Sequence, residues 1–466
     1  MENSSSHDME PNSQKLKRGL ANRHIQLIAI GGVIGTGLFM GSGRSISLAG
    51  PSILLVYLII GFFLYFLMRA MGELLLSNLE YKSFMDFTED LLGPWAGFFM
   101  GWTYWFCWVV TATAELIAIA GYIHFWLPDI PSWIPPSVFV LLIAGLNLVS
   151  VNLFGEMEFW FASIKILAIL ALILAGVVFV ATGFKSPAGE MATLANLWTH
   201  GGFFPKGLMG FFAGFQSAVF AFVGIELVGA TAAETKDPET ILPKAINAIP
   251  LRTLFFYVFA LLAIMCISPW PLVDPDSSPF VSTFMLVGIP SAAGVINFVV
   301  LTSAASSSNS GIYSSSRMLY GLSQVGDAPT LFGRLSRYRV PAFGLLFTCA
   351  CLLISSVLLA IMPTIMTAFT VMTTLASVLF IFVWSLILLS YLAYARKHPQ
   401  RRAISKFRLP GGRVTAWTTQ FFFLFVLVLL ALKKETRDVL LLTPLWFLLL
   451  GIGYRLSKPI SPGSRS

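Results

Sequence analysis

The sequence predicts an all-α membrane protein of twelve transmembrane helices, and three observations predict it. Of 466 residues, 56% are hydrophobic and only 11% are charged, under half of the roughly 25% typical of soluble domains. The mean hydropathy is +0.80. Charge-free stretches recur along the chain at the length of about 20 apolar residues that a membrane helix requires. A soluble chain of this size would divide into about three domains, and so few charges could not cover their surfaces. Soluble enzymes and nucleic-acid binders are therefore excluded.

The elements follow in order. Residues 1–20 are rich in Ser, Asn, Pro and Lys and read as a disordered N-terminus. The apolar run that begins near Ile25 has no small-residue cleavage site after a short apolar core. It is expected to stay as an anchor rather than leave as a signal peptide. Spans are then expected within residues 24–43, 45–68, 91–114, 130–154, 159–184 (interrupted by Lys165), 207–225, 253–273, 277–316, 414–432 and 439–454. The run 340–395 would extend about 84 Å as one helix, too long for one bilayer, so Pro363 is expected to divide it in two. That makes twelve. The connections near 185–206 and 396–413 are too short for a soluble domain. The organisation is one transmembrane domain over 21–456, with a first half at about 21–184, a second at about 207–396, two further helices at about 413–456, and a tail at 457–466.

An even number of spans puts both termini on one side. Under that arrangement 23 of the 30 Lys and Arg residues fall in loops on the terminus side. Arg44, Lys185, Lys206, Lys433, Lys434 and Arg437 fall opposite, and Lys165 lies within a span. The excess places the termini in the cytoplasm. It also accounts for the formal net charge of +8 without a nucleic-acid partner, because the cations flank helices and favour the anionic inner leaflet. Cys107, Cys266, Cys349 and Cys351 lie in apolar runs without metal-ligand spacing and read as small buried hydrophobes.

Two spans carry breaking signals. In the first, Gly31, Gly32, Gly35 and Gly37 fall within seven residues, each costing roughly 1 kcal/mol against Ala in a helix. Close helix packing of the small-xxx-small kind is one reading, and an unwound segment facing a cavity is the other. The sixth span, 210–226, mixes Gly210, Gly214, Gln216, Ser217 and Gly224 and ends on Glu226. The two spans are five apart and enter from opposite sides. That pattern fits two five-helix halves of inverted topology meeting at the midplane, since irregular backbone survives in a bilayer only against protein or a water-filled cavity. Half-helix N-termini would bind a carboxylate and free carbonyls an ammonium. Such a site fits a zwitterionic amino acid. Gly35-Thr36-Gly37 lacks the following GK[ST] and is no phosphate loop.

Charges within spans are costly, about 2.5–3.5 kcal/mol at the centre on insertion scales. Lys165 either snorkels to the interface or titrates during a transport cycle as desolvation lowers its pKa. Glu115 and Glu226 are each expected to act in gating or coupling or to make a structural hydrogen bond. Arg69, Glu73 and Lys82 lie near a loop and read as interfacial. The run 302–310, including Thr302 and Ser303, faces a cavity or packs helices through small polar residues. Trp102, Trp105 and Trp108 form one helix stripe with no ligand role assigned.

The chain resembles amino-acid permeases of the amino acid–polyamine–organocation superfamily. The resemblance is carried by Asn22-Arg23-His24-Ile25-Gln26-Leu27-Ile28-Ala29-Ile30-Gly31-Gly32 and Ile34-Gly35-Thr36-Gly37-Leu38-Phe39. Ser47-Leu48-Ala49-Gly50-Pro51, Met68-Arg69-Ala70-Met71-Gly72-Glu73-Leu74 and Ala232-Ala233-Glu234-Thr235-Lys236-Asp237-Pro238 add to it. It implies a LeuT-like 5+5 inverted repeat plus two helices in a bacterial inner membrane. It further implies proton-coupled uptake of small neutral amino acids (D-alanine, D-serine, glycine) by alternating access, with no cofactor and the proton gradient as driving force. An alternative within the same fold is a permease or exchanger for proline, 4-aminobutyrate or aromatic amino acids. By resemblance, backbone at Gly35, Thr36 and Gly37 holds the substrate carboxylate, and carbonyls of Val33, Phe220, Ala221 and Val223 take the amine. Lys165 would stand where related permeases use a lysine in place of sodium, with Thr302 and Ser303 as its neighbours. A channel, a membrane sensor and a membrane enzyme are disfavoured, since the loops hold no signalling domain and no nucleophile–base motif or metal cluster is visible.

Overall fold

A computed structural model of the chain describes residues 33–81, 83–149, 151–187, 189–230 and 237–457. The readings made on the N-terminal tail, Gly31, Gly32, Lys82, residues 232–236 and 458–466 lie outside the described residues. Ten helices are long and apolar enough to cross a membrane. Among the described residues there is no β-strand, only an isolated bridge between Lys185 and Met191.

The helices are α1 (Thr36–Phe39), α2 (Gly41–Ala49), α3 (Ile53–Ser77), α4 (Phe84–Leu92), α5 (Pro94–His124), α6 (Ile134–Val149), α7 (Val151–Thr182), α8 (Gly207–Ala218) and α9 (Leu227–Ala230). They continue as α10 (Pro238–Ile267), α11 (Pro279–Leu286), α12 (Pro290–Gln324), α13 (Ala342–Leu352), α14 (Ile354–Ile361), α15 (Ile365–Lys397), α16 (Pro399–Ile404), α17 (Arg413–Leu432) and α18 (Lys434–Ser457). Local chemistry sets many of the ends. Pro at the first turn opens α5, α10, α11 and α12, where the missing N–H costs nothing. Ser83 and Asp86 form a capping box on α4. The long run 340–395 stops at Ile361 and restarts at Ile365, where the Thr364 side chain caps the new helix by accepting from Thr367 N. Pro363 sits in the gap, where its ring blocks continuation of the helix.

The bundle is built around α5. Its residues from Val109 to Ala120 are all buried, and α12 and α15 pack along it. The contact with α12 is close enough that a Cβ on Gly311 would sit 3.1 Å from the Trp108 ring. By contrast α18 exposes Leu441, Leu442, Leu445, Leu448, Leu449 and Ile452, and α7 exposes Leu167, Leu174 and Val177. In water such apolar faces would mark interaction sites. On helices of this length they face hydrocarbon. The protein is a multi-pass membrane protein.

Glu73 lies beside a loop, as expected, and is fully buried because the segment between α15 and α17 folds over it. Leu409 N donates to Glu73 Oε2 at 2.6 Å, and Arg402 stands 3.7 Å from Oε1. Arg69 likewise reaches into that loop, donating to the Arg408 carbonyl and lying 3.7 Å over the Phe407 ring. The tryptophan stripe is anchored by bonds to other helices and loops. Trp102 donates to Asp327 O at 3.0 Å and Trp105 to Thr348 Oγ1 at 3.2 Å.

Candidate functional site

The first break lies between Val33 and α1. Ile34 and Gly35 leave the helix, and Gly35 is extended (φ −131°, ψ −159°). The helix restarts at Thr36 and bends again at Met40. The gap bares two carbonyls, of Val33 and Ile34, and the first amides of α1. Side chains from four other helices meet them. Lys165 Nζ (α7) donates to Ile34 O at 3.2 Å and to Ser306 Oγ (α12) at 3.4 Å. Ser303 Oγ (α12) donates to the same Ile34 O at 3.2 Å. Tyr257 Oη (α10) donates to Val33 O at 2.8 Å. Thr36 N donates to both carboxylate oxygens of Glu115 (α5), at 3.4 and 3.3 Å.

The second break follows α8. A 3-10 turn over Val219–Phe222 leads to Val223 in an extended conformation (φ −60°, ψ +138°). Gly224 has φ +94°, a left-handed setting that glycine adopts without a Cβ penalty. The helix resumes at Leu227. Ala221 O accepts from Tyr257 Oη at 2.6 Å, and Phe220 O accepts from Val223 N at 3.1 Å. Glu226 is fully buried, taking Tyr104 Oη at 3.3 Å and Trp384 Nε1 at 3.2 Å.

The two breaks touch backbone to backbone. A Cβ on Gly37 would lie 2.6 Å from Ala221 Cα and 2.9 Å from Ala221 N. A Cβ on Gly35 would lie 2.5 Å from Glu115 Oε1. Close approach to backbone therefore requires Gly37, whereas at Gly35 a Cβ would meet only the movable end of the Glu115 side chain. Arg44 and Glu435 pair at 2.5 Å on the α2 side of the breaks. A cavity of about 20 Å³ lies there, lined by Gly41, Arg44, Ser217, Phe369, Thr373 and Lys433 among others. In the loop between α17 and α18, Lys433 is held below the ordinary lysine range, by burial first and by Arg44 next.

The structure thus brings Val33, Gly35, Thr36, Gly37, Ala221, Lys165, Ser303 and Glu115 to one place. Lys165 is fully buried and points inward, so the snorkelling reading is set aside. Thr302 is not joined to Lys165 by these bonds, since its hydroxyl donates to Val299 O of its own helix at 2.8 Å. The carbonyls of Val33 and Ala221 already share the Tyr257 phenol, and that of Phe220 serves the turn. Glu226 belongs to a separate cluster with Tyr104 and Trp384. Sequence reasoning placed Ser306 in the polar run 302–310 without pairing it with Lys165, and it missed Tyr257. Ser306 stands three residues from Ser303, on the same helix face. Tyr257 is a hydroxyl-bearing aromatic in an apolar part of its helix, and such groups usually find a partner.

Paired helix breaks in a bundle of apolar helices agree with comparison to known proteins. The family model for amino acid permeases matches residues 24–459. The chain belongs to the amino acid permease family. The permease is 61% identical over 447 residues to the D-serine/D-alanine/glycine transporter of Escherichia coli (strain K12), covering 96% of this chain and 95% of that one. It is 51% identical over 451 residues to the amino-acid permease AapA of Bacillus subtilis (strain 168), covering 97% of each. It is 42% identical over 443 residues to the probable threonine/serine transporter YbxG of Bacillus subtilis (strain 168), covering 95% of each. Amino-acid transport is therefore the activity that the site geometry has to explain.

Proposed function

We propose that the permease is a proton-coupled symporter for small neutral amino acids: D-alanine, D-serine and glycine. It works by alternating access in a bacterial inner membrane with both termini cytoplasmic. Counting the ten long helices, with α6 added and α2 taken apart from α3 at Gly50–Ser52, as twelve crossings supports a 5+5 inverted repeat plus two. The observation that carries the reading is the meeting of the two breaks at Gly37 and Ala221 with Lys165 bound to one of them. Bared amides suit a carboxylate and bared carbonyls an ammonium. The substrate names come from the 61% identical relative.

In the mechanism we infer, Lys165 in its charged form holds Ile34 O and steadies the first break. Loss of its proton toward the cytoplasm weakens that hold and frees the break to rearrange. Glu115 occupies the Thr36 amide, where a substrate carboxylate is expected, so carboxylate binding displaces it and links occupancy to α5. The test is uptake of labelled D-alanine into vesicles with an imposed pH gradient, inside alkaline. Accumulation above the external concentration is expected, and a protonophore should abolish it. Accumulation unaffected by the protonophore sinks proton coupling.

A further inference from the structure

Tyr257 lies on α10, outside both broken helices, yet it alone among the described residues hydrogen-bonds to the backbone of both breaks. Its side chain is fully buried. Its hydroxyl reaches Ala221 O at 2.6 Å and Val33 O at 2.8 Å. The ring is held by neighbours, edge-on to Tyr57 at 5.8 Å and tilted on Phe222 at 5.2 Å. A phenol has one proton, so it cannot fully serve two carbonyls at once. Each carbonyl oxygen has two lone pairs, and the phenol oxygen is itself an acceptor. Three oxygens from three elements therefore converge with accepting capacity to spare. A primary ammonium, with three N–H donors on one atom, matches that set. A secondary amine matches it less well.

We propose that the Tyr257 hydroxyl is the side-chain member of the amine-binding pole: it accepts from a primary ammonium and ties the two breaks together across it. The proposal rests on the amino-acid transport reading. It makes Tyr257 a selector for primary amines as well as a strut, and it explains why a polar aromatic sits in an otherwise apolar part of α10.

The experiment compares Y257F with Y57F in proteoliposomes, measuring KM and maximal rate for glycine and for N-methylglycine. Y57F removes a phenol from the same aromatic cluster whose oxygen makes no hydrogen bond among the described residues. Loss of a hydrogen bond to a charged group corresponds to roughly ten-fold in affinity or more. Y257F should therefore raise the glycine KM about ten-fold with a smaller change in rate, and should erode the preference for glycine over N-methylglycine by a similar factor. Y57F should leave both within about two-fold. An unchanged KM and preference in Y257F overturns the proposal, and so does an equal loss in Y57F, which would mean packing alone. If Y257F does not insert, the wild-type protein carries the test. Glycine should raise its melting temperature and N,N-dimethylglycine, with one N–H, should not, and equal stabilisation by both again overturns it. Absence of saturable glycine or D-alanine uptake by the wild type would instead remove the transport reading itself.

Discussion

At the first break the bared Ile34 carbonyl meets the Lys165 ammonium at 3.2 Å and the Thr36 amide meets the Glu115 carboxylate at 3.3 Å. At the second, the Ala221 carbonyl meets a neutral phenol at 2.6 Å, and the nearby Glu226 carboxylate is held by a phenol and an indole. Both are gaps in a helix within a bilayer, where every bared backbone group must find a partner. Neutral donors hold their acceptors with the same strength over a wide pH range, whereas a hold made by a lysine weakens when it loses its proton. On the proposed reading, proton-linked motion therefore belongs to the first break, and the second is the fixed wall against which it moves.

The strongest way to break this contrast is Lys165→Ala. The substitution removes the ammonium from Ile34 O, and uphill D-alanine accumulation in vesicles should disappear. Exchange of internal for external substrate should persist, since the breaks still meet. A variant that still concentrates D-alanine would remove Lys165 from coupling.

A smaller effect, on geometry rather than charge, sharpens the comparison. Gly37→Ala drives a methyl into the Ala221 backbone, which cannot give way, whereas Gly35→Ala meets the movable end of Glu115. Overpacking of this kind costs about 1–3 kcal/mol. Initial uptake should fall by about ten- to a hundred-fold in Gly37→Ala and by less in Gly35→Ala. The reverse order would mean that the breaks do not rest on one another during transport.

The smallest effects are expected away from the first break. Glu226→Gln keeps an acceptor for Tyr104 or Trp384, so uptake should fall less than about ten-fold with the shape of its pH profile unchanged. Thr302→Ala loses only a bond to Val299 O in its own helix and should change uptake by about two-fold at most. A pH profile displaced by Glu226→Gln would shift proton coupling to the second break and undo the contrast.

Much of the fold is legible in composition. Helix placement follows from the cost of exposing backbone in hydrocarbon, which makes long apolar runs helical whatever their neighbours do, and Pro363 ends a helix by its own covalent structure. The breaks are half legible. Glycine density marks them, but weak propensity and close approach leave the same letters, and only the 2.6 Å at which a Cβ would stand from Ala221 Cα shows that approach demands Gly37. Lys165 was visible as a costly charge, yet which way it pointed was not. The burial of Glu73 was not legible, because nothing local reveals that a loop more than 300 residues later folds over it.

By itself the sequence determined that this chain lives in a bilayer as apolar helices, and where two of those helices fail. These follow from water-to-lipid transfer and backbone geometry, which act residue by residue. The tertiary structure decided which side chain answers each bared backbone group. Ile34 takes Lys165 and Ser303, Thr36 takes Glu115, and Val33 shares Tyr257 with Ala221. Those partners are 79 to 269 residues away from the first break, and a hydrogen bond depends on distances of a few ångströms that only packing sets.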